Sequence, residues 1–396
     1  MKQIKTISVI ILLVVLPGCG GRGNQSDDLI TVDVTGNYPQ KELILQDFLD
    51  VEYIPLETTD DFITMAATQI VGEKIVIVRN IRSADGDIFI YDRTGKGLRK
   101  FNRRGQGSEE YTSITSLVAL DEDNNEVFVN STGQRKVFVY DLFGNFKRSF
   151  DHQEVRFNVY INIFDRDYLI CTDDSRYSLE DRSADLTKRN MFRIISKQDG
   201  RVMKEISIPY ERRKVATLPS YAMPVRNNKS TPYRDSWLLA EPSSDTIYRY
   251  FSDHSMIPFI VRTPSIQSMD PEVFLFPGVL TDRYIFMRTY KMELYDFENN
   301  GTWHGADLMY DRQEKAIFKH VVYNDDFSNK IPIKMAGDIY EISLFNSEDI
   351  VFAQKLEAYD LVEAYKNGRL KGKLKEIAAT LDEEDNPVIM IARNKK

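Results

Sequence analysis

Asp173 and Asp174 stand side by side directly after the apolar run Tyr168-Leu169-Ile170-Cys171. Two carboxylates at a strand end that faces a channel could divide acid and base roles in glycoside hydrolysis. The chain carries 60 Asp and Glu residues, so neighbouring acids are common and a polar turn is the plainer reading of this pair. A second group of residues suits recognition rather than reaction. Arg79, Arg82, Arg103, Arg104, Tyr111 and Arg135 fall in or beside segments that read as loops. Arginine and tyrosine offer large contact areas with several hydrogen-bond donors. The same residues also serve as a solubilising surface with salt bridges between neighbouring elements. The candidate ligand-binding set is therefore Arg79, Arg82, Arg104, Tyr111, Arg135, Asp173 and Asp174. Trp303 could stack on a sugar ring or pack inside the fold.

Other chemistries find no foothold. No G-x-S-x-G is present to present a nucleophilic serine, and no P-loop opens a helix. Gly105-x-Gly107 lacks the third glycine of a dinucleotide loop and reads as a turn. His152, His254, His304 and His320 have no neighbours at metal-ligand spacing and read as surface or packing residues. Asp121 to Glu126 begins like a calcium loop, but Glu126 stands where glycine is needed and Thr132 where the bidentate glutamate is needed, so a hairpin is expected. No catalytic residue, metal ligand or cofactor is assigned.

The address is more legible. Lys2 and Lys5 precede the apolar run Val9–Leu16, which is too short to span a bilayer. Leu16-Pro17-Gly18-Cys19 then has the form of a lipobox. Residues 1–18 read as a signal peptide, Cys19 as the lipidation site and 19–29 as a flexible tether. Gly20, rather than Asp, follows the cysteine, which favours the outer membrane on either the periplasmic or the outer side. The formal charge of −8 becomes more acidic once Lys2 and Lys5 are removed, which argues against a nucleic-acid partner. Only Cys171 remains for the folded part, so no internal disulfide is expected, and its strand context makes it a core residue. The expected state is a monomer that meets the membrane through its anchor alone.

What must position these residues is a repeat. Ile88-Phe89-Ile90-Tyr91-Asp92-Arg93-Thr94-Gly95 returns as Val137-Phe138-Val139-Tyr140-Asp141-Leu142-Phe143-Gly144, with weaker copies from Met191, Thr246 and Met292. A spacing of about 50 residues with strand–turn–strand content means one small sheet per repeat, as in a propeller. Five units run from about 65 to 325, and a sixth is partial. The apolar runs Ile75–Val78, Val127–Val129, Tyr168–Cys171, Trp237–Ala240 and Tyr284–Met287 read as inner strands. Val51–Leu56 has no partner nearby in sequence and is expected to complete the last blade. Lys355–Tyr365 and Leu370–Leu381 carry helical spacing, and Val388–Ala392 reads as a final strand. The expected fold is all-β: a six-bladed β-propeller over 30–354, with 355–396 forming a small C-terminal helical cap and closing strand.

Three segments carry a family likeness: Val51-Glu52-Tyr53-Ile54-Pro55-Leu56-Glu57-Thr58, Arg104-Gly105-Gln106-Gly107-Ser108-Glu109-Glu110-Tyr111, and Asp385-Asn386-Pro387-Val388-Ile389-Met390. In these the chain resembles the six-bladed β-propeller lipoproteins of unknown function from gut commensal bacteria. Ser108 and Glu109 stand where that family usually has Pro-Gly. The resemblance implies fold and address and brings no chemistry with it. The expected function is a non-enzymatic recognition platform at the cell envelope for a glycan, peptide or protein. The alternative is a divalent-cation-dependent hydrolase or lactonase with its site in the propeller channel.

Overall fold

The computed structural model describes residues 29–80, 86–114, 118–152, 159–173, 190–214, 230–293, 305–336, 342–345 and 349–395. Six antiparallel sheets follow one another along the chain, and each packs its apolar faces against the next. The third and fourth strands of each sheet show why the repeat forms. In blade one, Ile88–Asp92 turns into Gly97–Phe101, and the carboxylate of Asp92 accepts from the N–H groups of Thr94 and Lys96 at 2.8 and 3.1 Å. Blade two repeats the device, with Asp141 accepting from Phe143 and Asn145, both at 2.8 Å. The side chain takes the place of a backbone acceptor and fixes the turn. Gly95 and Gly144 then adopt φ of +89° and +80°, the left-handed region. A Cβ on Gly95 would lie 1.8 Å from the carbonyl oxygen of Pro55. Each such turn therefore also docks on the sheet before it.

The apolar runs are strands, but they are the second strand of each blade. Ile75–Arg79, Glu126–Ser131, Tyr168–Asp173, Ser236–Leu239 and Tyr284–Lys291 are each flanked on both edges. The innermost strands of blades two to five are Ala119–Asp121, Val159–Ile163, Ser230–Tyr233 and Val273–Leu280, while Thr68–Val71, the first strand of blade one, is itself flanked by Ile342–Phe345. Covering of both faces by the neighbouring blades is what makes a second strand apolar along its middle. Phe128, for example, is wholly buried, which contributes about 2–3 kcal/mol.

The ring closes as the sequence implied. Leu49–Pro55 pairs antiparallel with Val388–Asn394, Tyr53 opposite Met390, so the start of the chain supplies the outer strand of blade six. A second join lies inside: Ile342–Phe345 pairs in parallel with Thr68–Val71 of blade one. Two shorter segments extend the outer join into a belt. Ile30–Asp33 pairs in parallel with the outer strand of blade four, and Gln40–Ile44 with that of blade five. The chain thus runs round the outside of blades four, five and six before it enters blade one.

The helices Ala358–Lys366 and Gly372–Ala378 sit between the two strands Ile350–Leu356 and Val388–Asn394 of blade six. The expected boundary after residue 354 falls inside the first of these strands. The cap is an insertion in a blade, and the closing strand is that blade's third strand. Leu361, Ala364, Leu374 and Ile377 bury against Phe286 and Val322 of blade five and Phe352 and Met390 of blade six. No helix among the described residues is long and apolar enough to cross a membrane.

Candidate ligand face

Strand alternation sorts the connections onto two faces. Turns between first and second strands, and between third and fourth, lie on one side. The described ones are short: 72–74, 93–96, 122–125, 142–145, 164–167, 197–201, 234–235, 252–255, 281–283 and 312–315. Connections between second and third strands, and between blades, lie on the other. The strand ends on that side bound, in sequence, the segments 102–118, 174–191, 207–229, 292–306, 324–341 and 357–387. Long connections on a rigid scaffold are where recognition is usually built.

The seam between blades two and three carries a buried polar group on this face. Asn130 and Asp173 are buried near the ends of their second strands. His152 follows the outer strand of blade two and meets the side-chain oxygen of Asn130 through Nε2 at 2.7 Å. That oxygen only accepts, so Nε2 holds the proton and Nδ1 the lone pair. The backbone N–H of His152 donates to the carbonyl of Arg135 at 2.8 Å. Across the seam Arg193 donates to Asp173 at 3.2 Å, both side chains being buried. Burial pushes the His152 imidazole down to about 4, and the charge of Arg193 adds to this, so the ring is neutral at pH 7. Burial pushes the Cys171 thiol up to about 12, which leaves it an unreactive core group. The seam thus offers a neutral imidazole, a guanidinium and a carboxylate side by side. On the far side of blade three, Thr172 and Ser230 share a hydrogen bond of 2.8 Å.

The candidate residues do not form one patch. Asp173 lies at this seam with Asn130, His152 and Arg193, which are scattered too widely in sequence to have been grouped; Arg135 is exposed beside it and meets the group through its carbonyl, which accepts from the His152 N–H. Arg79 is buried at the end of its strand and donates to the carbonyl of Ile114 at 3.2 Å. Tyr111 is fully buried: its hydroxyl donates to the Gly86 carbonyl at 2.7 Å and accepts from the Arg103 N–H at 3.0 Å. Arg104 is exposed, and its Nε donates to the Thr112 carbonyl at 3.3 Å. Cys19, Arg82, Asp174, Trp303 and His304 lie outside the described residues.

The segments that carry the family likeness have a structural task. In the Arg104–Tyr111 loop, the Gly107 N–H donates to the Glu110 carboxylate at 2.8 Å, and Tyr140 donates to the Glu109 carbonyl at 2.6 Å. Asn386 is 3 % exposed. Its side chain accepts from the Thr64 N–H at 2.8 Å and donates to the carbonyls of Glu57 and Phe62 at 2.8 and 2.6 Å. It pins the connection from blade six to blade one.

The opposite face is held by buried charge. Asp121 and Glu126 bracket the hairpin expected from the sequence, yet both carboxylates are buried. Lys197 meets Asp121 at 2.6 Å, and Arg148 forks onto Glu126 at 2.6 and 2.8 Å. Asp311, fully buried, takes Arg283 at 2.9 Å and Lys41 at 3.1 Å. Burial alone would raise the Asp311 carboxyl; those two cations more than offset it and hold the group at about 2. No three His, Cys, Asp or Glu side chains converge as a metal set among the described residues.

The model of the family described as Domain of unknown function (DUF4934) matches residues 29–393. The chain belongs to that family. Among solved structures it is similar to a protein of Bacteroides fragilis NCTC 9343 named as exported, with 15% identity and a TM-score of 0.59 over 90% of this chain and 99% of that one. A member of the duf4221 family from Bacteroides vulgatus ATCC 8482 is 10% identical, with a TM-score of 0.46 over 88% and 99% of the two chains. Virginiamycin B lyase from Staphylococcus aureus is 12% identical, with a TM-score of 0.38 over 88% and 100%. Likeness at these identities is one of fold. No curated protein matches the chain.

Proposed function

We propose that this family member is an exported, lipid-anchored recognition propeller, held to the outer membrane through Cys19, that binds a glycan, peptide or protein ligand on its long-connection face without turning it over. The observation that carries the reading is the unequal division of the connections. One face is made of short turns fixed by side-chain hydrogen bonds and buried ion pairs. The strand ends of the other bound the long connections and carry the polar seam of Asn130, His152, Asp173 and Arg193. A neutral imidazole beside a guanidinium–carboxylate pair supplies directional donors and acceptors, which give specificity rather than bond cleavage. The export reading draws on the Lys2–Cys19 pattern and on the exported Bacteroides relative. The test is a glycan and peptide array probed with the mature chain carrying Cys19→Ser. Binding that is lost with Arg193→Ala but kept with Arg283→Ala supports the reading. Equal loss in both variants, or no binding by wild type, counts against it.

A further inference from the structure

Among the described residues His320 is the only side chain with two buried polar atoms that lack a hydrogen-bond partner, its Nδ1 and its Nε2. It is 7% exposed and lies on Ala316–Tyr323, the fourth strand of blade five. Phe318 and Val322 flank it at the two-residue spacing that puts all three on one face. That face meets blade six and the helical cap. Phe318 and Val322 join the apolar cluster that also holds Phe352 and Met390 of blade six and Leu361 and Leu374 of the cap. The imidazole stands edge-on to Phe286 of the same cluster, with centroids 4.8 Å apart and planes at 72°.

The charged groups around the ring are accounted for. Arg288 on the second strand and Asp307 at the start of the third both act on it, and they are bound to each other at 2.6 Å. Lys41 of the belt lies beside His320 in register but is engaged by Asp311 and Glu314. The cap and blade six contribute apolar side chains to the shared cluster. A neutral ring is tolerated there. An imidazolium would bring two N–H donors and a charge into an apolar seam whose nearest carboxylate, Asp307, is already held by Arg288. His152, half-buried, has the Asn130 oxygen as an acceptor, a partner that His320 lacks.

We propose that the seam between blade five and blade six, with the helical cap over it, is an acid-responsive element opened by protonation of His320. The direction follows from linkage. Burial holds the His320 ring down at about 4 in the folded chain, against about 6.5 when exposed. A histidine depressed by folding lends stability that is complete above 6.5 and is lost as pH falls toward 4. Opening would expose the cap's apolar stripe as a surface hidden at neutral pH.

Hydrogen exchange of the mature chain at pH 7 and pH 5, corrected for the intrinsic pH dependence of exchange, tests this. Protection in 316–323 and 358–378 should fall about tenfold or more relative to blade one, which carries no histidine. His320→Phe, which extends the packing on Phe286, should remove that fall, and His152→Asn should leave it in place. A uniform loss round the ring, or the same fall in His320→Phe, overturns the proposal. A ring-carbon NMR titration of wild type gives a check that needs no variant. A His320 that titrates near 6.5 while the chain stays folded would equally end the idea.

Discussion

The two faces of this propeller solve opposite problems with the same strands. On the short-turn face every connection is brief, and its charges are spent on neighbours: Lys197 on Asp121, Arg148 on Glu126, Arg283 and Lys41 on Asp311. On the long-connection face, buried polar side chains such as Asn386 and Tyr111 pin the connections beside them. The first arrangement gives a ring that stays closed. The second gives a rim that could vary without the ring opening. Stability and recognition are thereby assigned to different ends of each strand.

Substitutions can break that division, and their effects should be graded. The largest loss is expected for Gly95→Val on the short-turn face. It combines a φ of +89° with a Cβ 1.8 Å from the Pro55 carbonyl, at the turn that meets the closing strand. Urea unfolding should show a loss of more than about 3 kcal/mol. A loss below about 1 kcal/mol would mean that the turn does not lock the ring. Asn386→Ala should follow, at about 2–3 kcal/mol, because it strips the Thr64 N–H and the Glu57 carbonyl of this partner and leaves the Phe62 carbonyl with the long bond from the Thr59 N–H alone. Here the loss should be accompanied by faster proteolysis within 57–66, and an unchanged cleavage rate would remove Asn386 from the role given to it.

Asp311→Asn sharpens the comparison through pH. The native carboxylate is depressed to about 2, so the stability it lends is present above the ordinary carboxylate range and lost as pH falls through about 4 to about 2. The advantage of wild type over the variant should vanish across that interval. A constant difference down to pH 2 would show that charge is not what Asp311 contributes. The smallest effect on folding belongs to Arg104→Ala on the exposed part of the long-connection face. It should change stability by less than about 0.5 kcal/mol. A larger change would show that this face, too, is part of the lock.

How much of this could be read from the residues alone depends on the range of the interactions. The Asp92–Gly95 and Asp141–Gly144 turns are local, since a carboxylate bonds to N–H groups two and four residues on, so the repeat and the blade count were legible. The ring closure was legible because Val51–Leu56 is a strand with no local mate. The innermost strands were not, because pieces as short as Ala119–Asp121 give no periodicity, and their flanked neighbours carry the apolar runs. The belt was also hidden. Ile30 faces Ile260, and Gln40 faces Lys319, pairings that nothing local in either segment announces. The polar seam was only half visible for the same reason: Asp173 and Arg135 carried a signal, while His152, Asn130 and Arg193 gain meaning only when two blades meet.

The belt has a mechanical corollary. Tension applied to the N-terminal end of the chain would arrive first at Ile30–Asp33 on blade four, next at Gln40–Ile44 on blade five, and only then at Leu49–Pro55, the strand that shuts the ring. The two leading segments are additions to complete four-stranded blades and could be peeled away without opening a circle. They form a sacrificial fuse in series with the closure, so a tug from that end would be absorbed at the periphery before it reached the clasp.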